Sequence, residues 1–348
     1  MMNRILLPIA FLYQGLLGLR HKCYDWHFLP SKGFDLPVIC VGNLSLGGTG
    51  KTPHTEYLIR LLKEEFRVAV LSRGYGRKTK GFLLAGEDST AADLGDEVMQ
   101  YKMKFPEIQV AVDEDRVEGV ERLLQQSQSP EVILLDDAMQ HRHIQPGLTL
   151  LLTEYGHLYT DDYLVPVGTL RDVRSAAKRA NLIVVTKTPK DLSEAEKKAI
   201  VEKLKPMGHQ RVFFSYLEYE DLVRVSKDTE DAEASAGALL FCGIAHPEPL
   251  IEEMQSRFNN LEVMRFNDHH PYREEDLRRI RERYEQLPGK EKIVITTEKD
   301  YARLIKTPYI CLLDPVPLFV APVKVRFHQE EKINNEIKSY VRENHRHH

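Results

Sequence analysis

A glycine-rich loop followed by lysine and threonine is the strongest chemical signal in this sequence. Residues 47–52 are Gly-Gly-Thr-Gly-Lys-Thr, between an apolar run at 38–41 and a helical pattern that starts near residue 55. In such loops backbone N–H groups surround a phosphate, the lysine reaches the β- and γ-phosphates, and the threonine hydroxyl binds Mg²⁺. A plain strand-to-helix turn is the alternative. The predicted nucleotide cradle consists of Ser45, Gly47, Gly48, Thr49, Gly50, Lys51 and Thr52.

Two aspartates at the end of another apolar run are the second signal. Residues 131–135 are Glu-Val-Ile-Leu-Leu, and Asp136 and Asp137 follow directly. Because the carboxyl ends of parallel strands meet at one edge of a sheet, we expect the aspartates beside the glycine-rich loop. Carboxylate oxygens are ligands that Mg²⁺ prefers. The pattern therefore predicts a magnesium site, and a strand cap without a metal is the alternative.

Three arginines lie in loops that are expected at the same edge of the sheet. Arg73 and Arg77 follow an apolar run at 67–71, and Arg171 lies in the loop 166–175. At that edge a guanidinium group can bind phosphate or another anionic group of a substrate. A solvated surface turn is the alternative for each of these arginines.

Acidic and histidine side chains at the ends of predicted elements are candidates for proton transfer. Asp96 and Glu97 precede a helical pattern at 98–105, where acidic residues are also ordinary helix starters. His269 lies in Phe-Asn-Asp-His-His-Pro-Tyr at 266–272, after a predicted strand. It can orient a carboxylate or move a proton there, and helix capping is the alternative. The polar segment 296–300 is predicted to start a helix rather than to act in catalysis.

The N-terminal segment is apolar between basic residues. Residues 5–19 are mostly apolar, and Arg4, Arg20 and Lys22 flank them. The segment is shorter than the roughly 20 residues that span a bilayer, and no small-residue cleavage site follows it. The basic flanks favour a helix that lies in the membrane interface, because anionic lipids attract them. A core helix that covers an exposed face is the alternative.

Composition limits the classes of partner and the redox environment. The 348 residues carry a formal net charge of −4, which argues against binding nucleic acid through bulk positive charge. The four cysteines are far apart and contain no C-x-x-C spacing. Neither a disulfide framework nor a zinc site is therefore expected, and a reducing cytosol fits best.

The order of the predicted elements indicates an α/β fold in two parts. Apolar strands alternate with helices up to about residue 211, as in a P-loop NTPase-like, doubly wound and mostly parallel sheet. Two strand-like runs at 212–219 and 222–225 resemble two more at 318–320 and 323–327, and we expect them to pair. They would form a two-stranded linker to a smaller α/β domain. The predicted parts are 1–26 (membrane-interface helix), 27–211 (core), 212–229 and 313–328 (linker), 230–312 (lid) and 329–348 (C-terminal helix and tail).

Six motifs in one order resemble a known family. They are Gly-Asn-Leu-Ser-x-Gly-Gly-Thr-Gly-Lys-Thr-Pro at 42–53, Ser-Arg-Gly-Tyr-Gly-Arg at 72–77, Gly-Asp-Glu at 95–97, Leu-Asp-Asp-Ala-Met-Gln-His at 135–141, Gly-Thr-Leu-Arg at 168–171 and Phe-Asn-Asp-His at 266–269. Behind an apolar N-terminal helix, this combination resembles the tetraacyldisaccharide 4′-kinases of lipid A synthesis. In that family serine or threonine is usual at the position of Ser45, where the strict phosphate-loop motif has glycine.

The resemblance implies a chemistry and a set of site residues. The kinase would transfer the γ-phosphate of ATP to the 4′-hydroxyl of a tetraacylated glucosamine disaccharide 1-phosphate, the lipid A disaccharide precursor. Catalysis would rest on Lys51 and on Asp96 with His269, because an Asp–His pair can accept the proton of a sugar hydroxyl. The other implied residues are Asn43 for ATP, with Arg73, Arg77, Gln140 and Arg171 for the substrate, and Thr52, Glu97, Asp136 and Asp137 for Mg²⁺.

The resemblance also implies a location and leaves a competing hypothesis. A monomer would bind peripherally to the anionic cytoplasmic face of the inner membrane, with no nucleic-acid partner. The competing hypothesis is a P-loop nucleotide switch or ATPase that cycles on membranes without a sugar acceptor. A switch would need no base to activate a hydroxyl, so phosphate transfer to a disaccharide lipid distinguishes the two functions.

Overall fold

A computed structural model of the chain describes residues 6–226, 237–289, 291–314 and 316–345. In these ranges strands and helices alternate along most of the chain. The strands are β1 Val38–Asn43, β2 Val68–Ser72, β3 Leu83–Leu84, β4 Gln109–Val112, β5 Val132–Asp136, β6 Leu148–Glu154, β7 Leu182–Thr186, β8 Arg211–Tyr219, β9 Val223–Arg224, β10 Gly237–Cys242, β11 Leu261–Arg265, β12 Lys292–Thr297, β13 Leu318–Ala321 and β14 Val323–Phe327. The helices are α1 Leu7–Asp25, α2 Lys51–Leu62, α3 Ala91–Leu94, α4 Asp96–Lys104, α5 Arg116–Leu124, α6 Glu194–Leu204, α7 Glu248–Arg257, α8 Glu274–Gln286, α9 Glu298–Leu304 and α10 Glu330–His345.

The larger of two sheets in the described ranges is mostly parallel. Its nine strands have the order β14-β8-β7-β6-β1-β5-β2-β4-β3. All neighbours from β8 to β4 in this order pair in parallel, and only β14 and β3 at the two edges are antiparallel. Every residue of the central strand β1 is buried, as expected for a parallel strand covered on both faces. The predicted doubly wound, mostly parallel sheet is confirmed.

Helices cover both faces of this sheet and bury two apolar cores. On one face α2, α4 and α10 contribute residues such as Leu58, Tyr101 and Ile337. On the other face α5 contributes Val120, and α1 contacts the core through Leu17. Because the sheet is buried on both sides, the loops at the carboxyl ends of its strands are held on a rigid framework.

The smaller sheet is joined to the larger one through paired strands. Its described strands have the order β11-β10-β12-β13-β9. As predicted, the runs at 212–225 pair with those near the end of the chain, since β8 pairs with β14 and β9 with β13. These strands do not form a separate ribbon, because β8 also pairs with β7, and β13 also pairs with β12. The chain therefore crosses twice, at 220–222 and at 322, from the edge of one sheet to the edge of the other.

Some predictions concern residues that the structure does not describe. The first five residues of the predicted membrane-interface helix lie outside the described ranges, as do residues 227–236, where the linker was expected to meet the lid. Residues 346–348 of the predicted C-terminal tail also lie outside them. The domain boundaries stay predictions.

Helix α1 contacts the larger sheet with one face and presents apolar residues on another. Tyr13 and Leu17 pack against the core, and His21 Nε2 lies 2.6 Å from Asp172 Oδ1. Within α1, the large apolar side chains that remain more than half exposed are Ile9, Phe11, Leu12, Leu16 and Leu19. Among the described helices, none combines the length and the apolar character needed to cross a bilayer.

We predict that Gly42→Ala destabilises the fold. A β-carbon at Gly42 would lie 2.7 Å from Cβ of Met139, an atom that cannot move without the backbone. Overpacking of this kind costs about 1–3 kcal/mol of unfolding free energy. Denaturant unfolding measures the loss. Gly33→Ala is the matched control, because a β-carbon there meets nothing within 4 Å. Equal stability of the two variants would contradict the close approach.

Candidate active site

The loop after β1 leaves the N-terminal end of α2 open to a ligand. Gly47 and Gly50 have φ angles of +102° and +87°, in the left-handed region that favours glycine. Helix α2 begins at Lys51, and no side chain caps its first N–H groups. Asn43 Nδ2 donates a hydrogen bond of 2.9 Å to Thr49 Oγ1, which fixes the loop. Free N–H groups at the positive end of a helix dipole are a binding site for phosphate.

Charged residues from two other loops lie close to the lysine of this cradle. Lys51 Nζ lies 3.7 Å from Asp137 Oδ2, and the Arg171 guanidinium contacts both oxygens of the same carboxylate. Arg171 also donates to Asn43 Oδ1 at 2.5 Å, and Gln140 Nε2 donates to the Asn43 carbonyl at 2.8 Å. Burial alone would raise the pKa of Asp137, but the two cations hold it below its usual range. The structure thus brings five of the predicted residues together.

Asp136 carries a buried carboxylate that the described residues do not fully satisfy. Its Oδ1 has no hydrogen-bond partner, and its Oδ2 accepts only a 3.3 Å bond from Ser72. Burial raises the pKa of Asp136 to about 7, and the negative charges of Glu97 and Asp137 add to this effect. A cation at this position would relieve the repulsion, so the donor set fits a hard metal ion.

The carboxylates do not by themselves form a closed metal cage. Within the described ranges no three His, Cys, Asp or Glu side chains converge on one metal position. Asp137 is turned toward Lys51 and Arg171, and Glu97 lies 3.7 Å from Lys299 Nζ. Mg²⁺ in nucleotide sites commonly takes one or two protein carboxylates and fills its shell with phosphate oxygens and water. The arrangement suits such an open site.

Asp96 and His269 are in contact, although they belong to the parts of the chain that form different sheets. Asp96 is the first residue of α4, and His269 lies in the loop after β11 of the smaller sheet. The distance from His269 Nδ1 to Asp96 Oδ2 is 2.9 Å. Burial alone would raise the pKa of Asp96, but the hydrogen bond to His269 and the positive charge of Arg303 hold it below its usual range. The Asp96 carboxylate is therefore ionised at neutral pH.

Two cations beside this pair were not found by reading the sequence. Arg303 Nε donates to Asp96 Oδ2 at 2.7 Å, and Lys299 Nζ lies 3.4 Å from His269 Nε2. Both residues belong to α9, whose start at residues 296–300 was correctly predicted as a helix start. Nothing local distinguishes them from surface residues of a short helix, because Asp96, the partner of Arg303, and Glu97, which lies near Lys299, are both about 200 residues away in the sequence.

A cavity that contains the buried Arg116 was also missed. Arg116 is almost completely buried, and its Nε and Nη2 have no hydrogen-bond partner among the described residues. Burial lowers the pKa of Arg116 to about 10. Burial, followed by the positive charges of Arg116 and Arg73, lowers the pKa of His141 to about 4. The cavity has a volume of about 190 Å³ and is lined by Glu114, Asp115, Arg116, His141, His143 and Ile144.

The remaining predicted residues have different surroundings. Arg77 is nearly buried, and its guanidinium donates to the Gly81 carbonyl at 2.9 Å and pairs with Glu114. Arg73, in contrast, is exposed. Ser45 is buried and pairs through its backbone with Leu170, which brings the loop of Arg171 against the cradle. Serine is thus accommodated where the strict motif has glycine.

A phosphate-binding loop between the central strand of a doubly wound sheet and the following helix defines a P-loop NTPase-like protein, and this chain is one. The family model described as tetraacyldisaccharide-1-P 4′-kinase matches residues 2–342. The chain belongs to this family. It is an ATP-dependent kinase of lipid A biosynthesis.

Curated relatives and a solved structure are similar along nearly the whole chain. The tetraacyldisaccharide 4′-kinase of Flavobacterium johnsoniae is 45% identical, over 99% of this chain and 98% of that protein. The enzyme of the same name from Bacteroides thetaiotaomicron is 42% identical, over 98% of this chain and 94% of that protein. A crystal structure of LpxK from Aquifex aeolicus in complex with ATP is 30% identical, with a TM-score of 0.74, and the match covers 98% of this chain and 100% of that one.

We predict that Lys51→Ala lowers kcat about 100- to 1,000-fold. Removing one preorganised positive group from developing phosphate charge costs roughly 3 kcal/mol of transition-state stabilisation. Steady-state phosphate transfer measures the loss. Lys187→Ala is the control, because Lys187 also pairs with a carboxylate, Glu154, at 3.0 Å but is not part of the cradle. Turnover near wild type in Lys51→Ala would exclude the cradle as the γ-phosphate site.

Proposed function

We propose that this protein transfers the γ-phosphate of ATP to the 4′-hydroxyl of a tetraacylated glucosamine disaccharide 1-phosphate. Asp96, paired with His269, accepts the proton of the hydroxyl, while Lys51 and the cradle neutralise the transferred phosphate. The reaction takes place on the anionic cytoplasmic face of the inner membrane, where the enzyme is bound peripherally as a monomer.

The Asp96–His269 contact is the observation that carries this proposal. A sugar hydroxyl is a poor nucleophile, so its phosphorylation needs a base close to the γ-phosphate. Asp96 begins α4, the helix that packs beside α2, and Gln100 of α4 donates a 2.7 Å hydrogen bond to the buried Glu56 of α2. This contact holds the base next to α2, whose first two residues, Lys51 and Thr52, belong to the cradle. A nucleotide switch has no use for such a base.

Magnesium is part of the proposal because of the unsatisfied Asp136. Thr52 and Asp136 would hold the ion, with Asp137 and Glu97 close to its water ligands. When bound, Mg²⁺ neutralises charge on the β- and γ-phosphates. The residues of the chain do the rest: the free N–H groups of α2 orient the phosphates, and Arg171 holds Asp137 in place. The buried Oδ1 of Asp136, which has no partner in the described residues, supports this assignment.

An acceptor that already carries a phosphate is supported by the cavity around Arg116. Two of its guanidinium nitrogens are buried and lack hydrogen-bond partners among the described residues, which is costly unless a ligand satisfies them. His143, which also lines this cavity, contacts Tyr24 of α1 in an edge-on arrangement at 5.6 Å between ring centroids. The 1-phosphate of the disaccharide would bind beside the helix that faces the lipid.

A lipid acceptor is supported by the exposed apolar side chains of α1. Ile9, Leu12, Leu16 and Leu19 are spaced by three or four residues and thus line one face of the helix. We call this surface the α1 apolar stripe. Insertion of the stripe between lipid headgroups would remove it from water, and the basic residues at 20 and 22 would meet anionic lipid. The helix thereby brings the active site to a substrate that stays in the membrane.

We predict acceptor-dependent transfer that is lost in the Asp96–His269 variants. With the tetraacyldisaccharide 1-phosphate and ATP, wild type forms the 4′-phosphate, and Asp96→Ala reduces kcat by roughly 100- to 10,000-fold with ATP affinity little changed. His269→Ala causes a similar loss, and the double variant is far from additive because the two residues act as one unit.

The same assay separates the competing functions. A nucleotide switch would hydrolyse ATP at the same rate without the disaccharide, and that outcome would overturn the proposal. Glu97→Gln is the comparison variant, because it should weaken Mg²⁺ affinity whereas Asp96→Ala should not. Collapse of Mg²⁺ affinity in Asp96→Ala, with additive losses in the double variant, would assign Asp96 to the metal instead.

We predict that Leu12→Glu/Leu16→Glu releases the protein from anionic vesicles. Burial of a leucine side chain contributes about 1.5–3 kcal/mol, so losing two from the α1 apolar stripe should weaken vesicle binding at least 10-fold and raise KM for the lipid acceptor. ATP affinity should stay unchanged. Met207→Glu, at an exposed apolar residue elsewhere, is the control in vesicle sedimentation. Full sedimentation of the double variant with vesicles would rule out the stripe as the membrane contact.

A further inference from the structure

Arg303 is a buried cation at the Asp96–His269 pair that the proposed reaction has not yet used. Its side chain is only 6% exposed, and its Nε donates to Asp96 Oδ2 at 2.7 Å. Asp96 belongs to a helix of the larger sheet and Arg303 to a helix of the smaller one, so this bond joins the two parts. An arginine held in this way has a fixed orientation, unlike a surface ion pair.

The guanidinium of Arg303 is also held by residues of the part of the chain that forms the smaller sheet. Its Nη1 donates to the Gly243 carbonyl at 2.9 Å and to Asp300 Oδ1 at 2.8 Å. Asp300 is completely buried, and its Oδ2 accepts from the Gly243 amide at 3.0 Å and from the Thr297 hydroxyl at 2.7 Å. These hydrogen bonds fix the orientation of the planar guanidinium group, so that its Nε–H is directed toward Asp96. The smaller sheet therefore presents a preset donor to the carboxylate.

Arg303 and His269 bind the same oxygen of Asp96. Both the 2.7 Å bond from Arg303 and the 2.9 Å contact with His269 end at Oδ2. Oδ1 accepts no hydrogen bond from any described residue, and the carboxylate lines a narrow crevice with Tyr75, Gly95 and Glu97. With one oxygen held by two partners, the rotation of the carboxylate is set and Oδ1 is left for a ligand.

The surroundings of His269 fix which of its nitrogens faces Asp96 as a donor. Arg303 Nη2 is 3.3 Å from Nδ1, and Lys299 Nζ is 3.4 Å from Nε2. The Asp96 carboxylate can only accept, so the ring donates from Nδ1 to Asp96, and Nε2 is left to accept from Lys299. Arg303 Nη2 is then a neighbouring cation of the ring and makes no hydrogen bond to Nδ1. The other charged groups around the pair are Glu97 of α4, Asp268 beside His269 and Asp300 of α9.

We propose that Arg303 is a positioning residue for phosphate transfer, which holds Asp96 Oδ2 against His269 so that Oδ1 faces the acceptor hydroxyl. The inference rests on the proposed function, in which Asp96 accepts the proton of that hydroxyl. In this role Arg303 acts through Asp96 and needs no contact with the nucleotide or the acceptor. It acts by fixing the geometry of the base, and it does so only when the smaller sheet is seated against α4.

The test compares Arg303→Met and Arg303→Lys in wild-type and Asp96→Asn backgrounds. Arg303→Met should reduce kcat about 100-fold, as a misplacement of about 1 Å in a catalytic group does, with KM for ATP and for the lipid acceptor changed less than about twofold. In the Asp96→Asn background the same substitution should reduce kcat further by less than about threefold, because the group that it positions is already lost. Arg303→Lys keeps the charge and should recover part of kcat.

A matched control variant tests whether Arg303 positions Asp96 or only helps to hold the two sheets together. Arg257 also belongs to the smaller sheet's helices and donates to the crossing segment, at 2.8 Å to the Glu220 carbonyl and 3.2 Å to the Tyr219 carbonyl. Arg257→Met should lower thermal stability and leave kcat within about threefold of wild type. If Arg303→Met behaves like Arg257→Met, Arg303 is only an attachment and the inference is wrong.

Three further results would test the role of Arg303 or the proposed function itself. An equal fold loss from Arg303→Met in both backgrounds would overturn the inference. If Arg303→Met does not fold, Arg303→Lys replaces it, and a kcat loss of at least about 10-fold at unchanged KM for ATP is required. Failure of the proposed function has a different signature, since wild type would then form no 4′-phosphate, or Asp96→Asn would retain full activity whatever stands at residue 303.

Discussion

Buried charge at the carboxyl edge of the larger sheet is the constraint on which the rest of the site depends. Asp137 is balanced by Lys51 and Arg171, but Asp136 and Arg116 keep buried polar atoms for which the described residues supply no partner. Leaving such groups unsatisfied costs roughly 1–3 kcal/mol or more each. In the function that we propose, a cation pairs with Asp136 and an anion pairs with Arg116, which would offset this cost.

A second constraint is the double crossing between the sheets. Because β8 and β9 pair with β14 and β13, both crossing segments lie side by side, and Glu220 donates its amide to the Pro322 carbonyl at 3.0 Å. Paired crossings restrict how the smaller sheet can approach α4. His269 and Arg303 reach Asp96 only through this approach. The proposed base therefore consists of residues from two parts of the chain, and its geometry depends on how these two parts pack against each other.

Much of the fold and part of the site could be read from residue order. Apolar runs such as 132–136 were recognisable as buried parallel strands, and the glycine-rich run predicted a loop between a strand and a helix, where the structure has one. The pairing of the crossing strands was also predictable from their alternation. The sequence did not reveal that β8 and β13 are also part of the two sheets. Their second partners, β7 and β12, are set by the tertiary packing and not by the local pattern of residues.

The sequence by itself determined the phosphate cradle, the parallel sheet and the residue types that do the chemistry, because these follow from local spacing and from the period of apolar residues. Tertiary structure alone decided the partners of those residues: Arg77 pairs with Glu114, Arg171 grips Asp137, and Arg303 shares one oxygen of Asp96 with His269. Each of these contacts joins segments far apart in the chain. Their energies depend on burial and distance, which exist only once the sheets have packed and crossed.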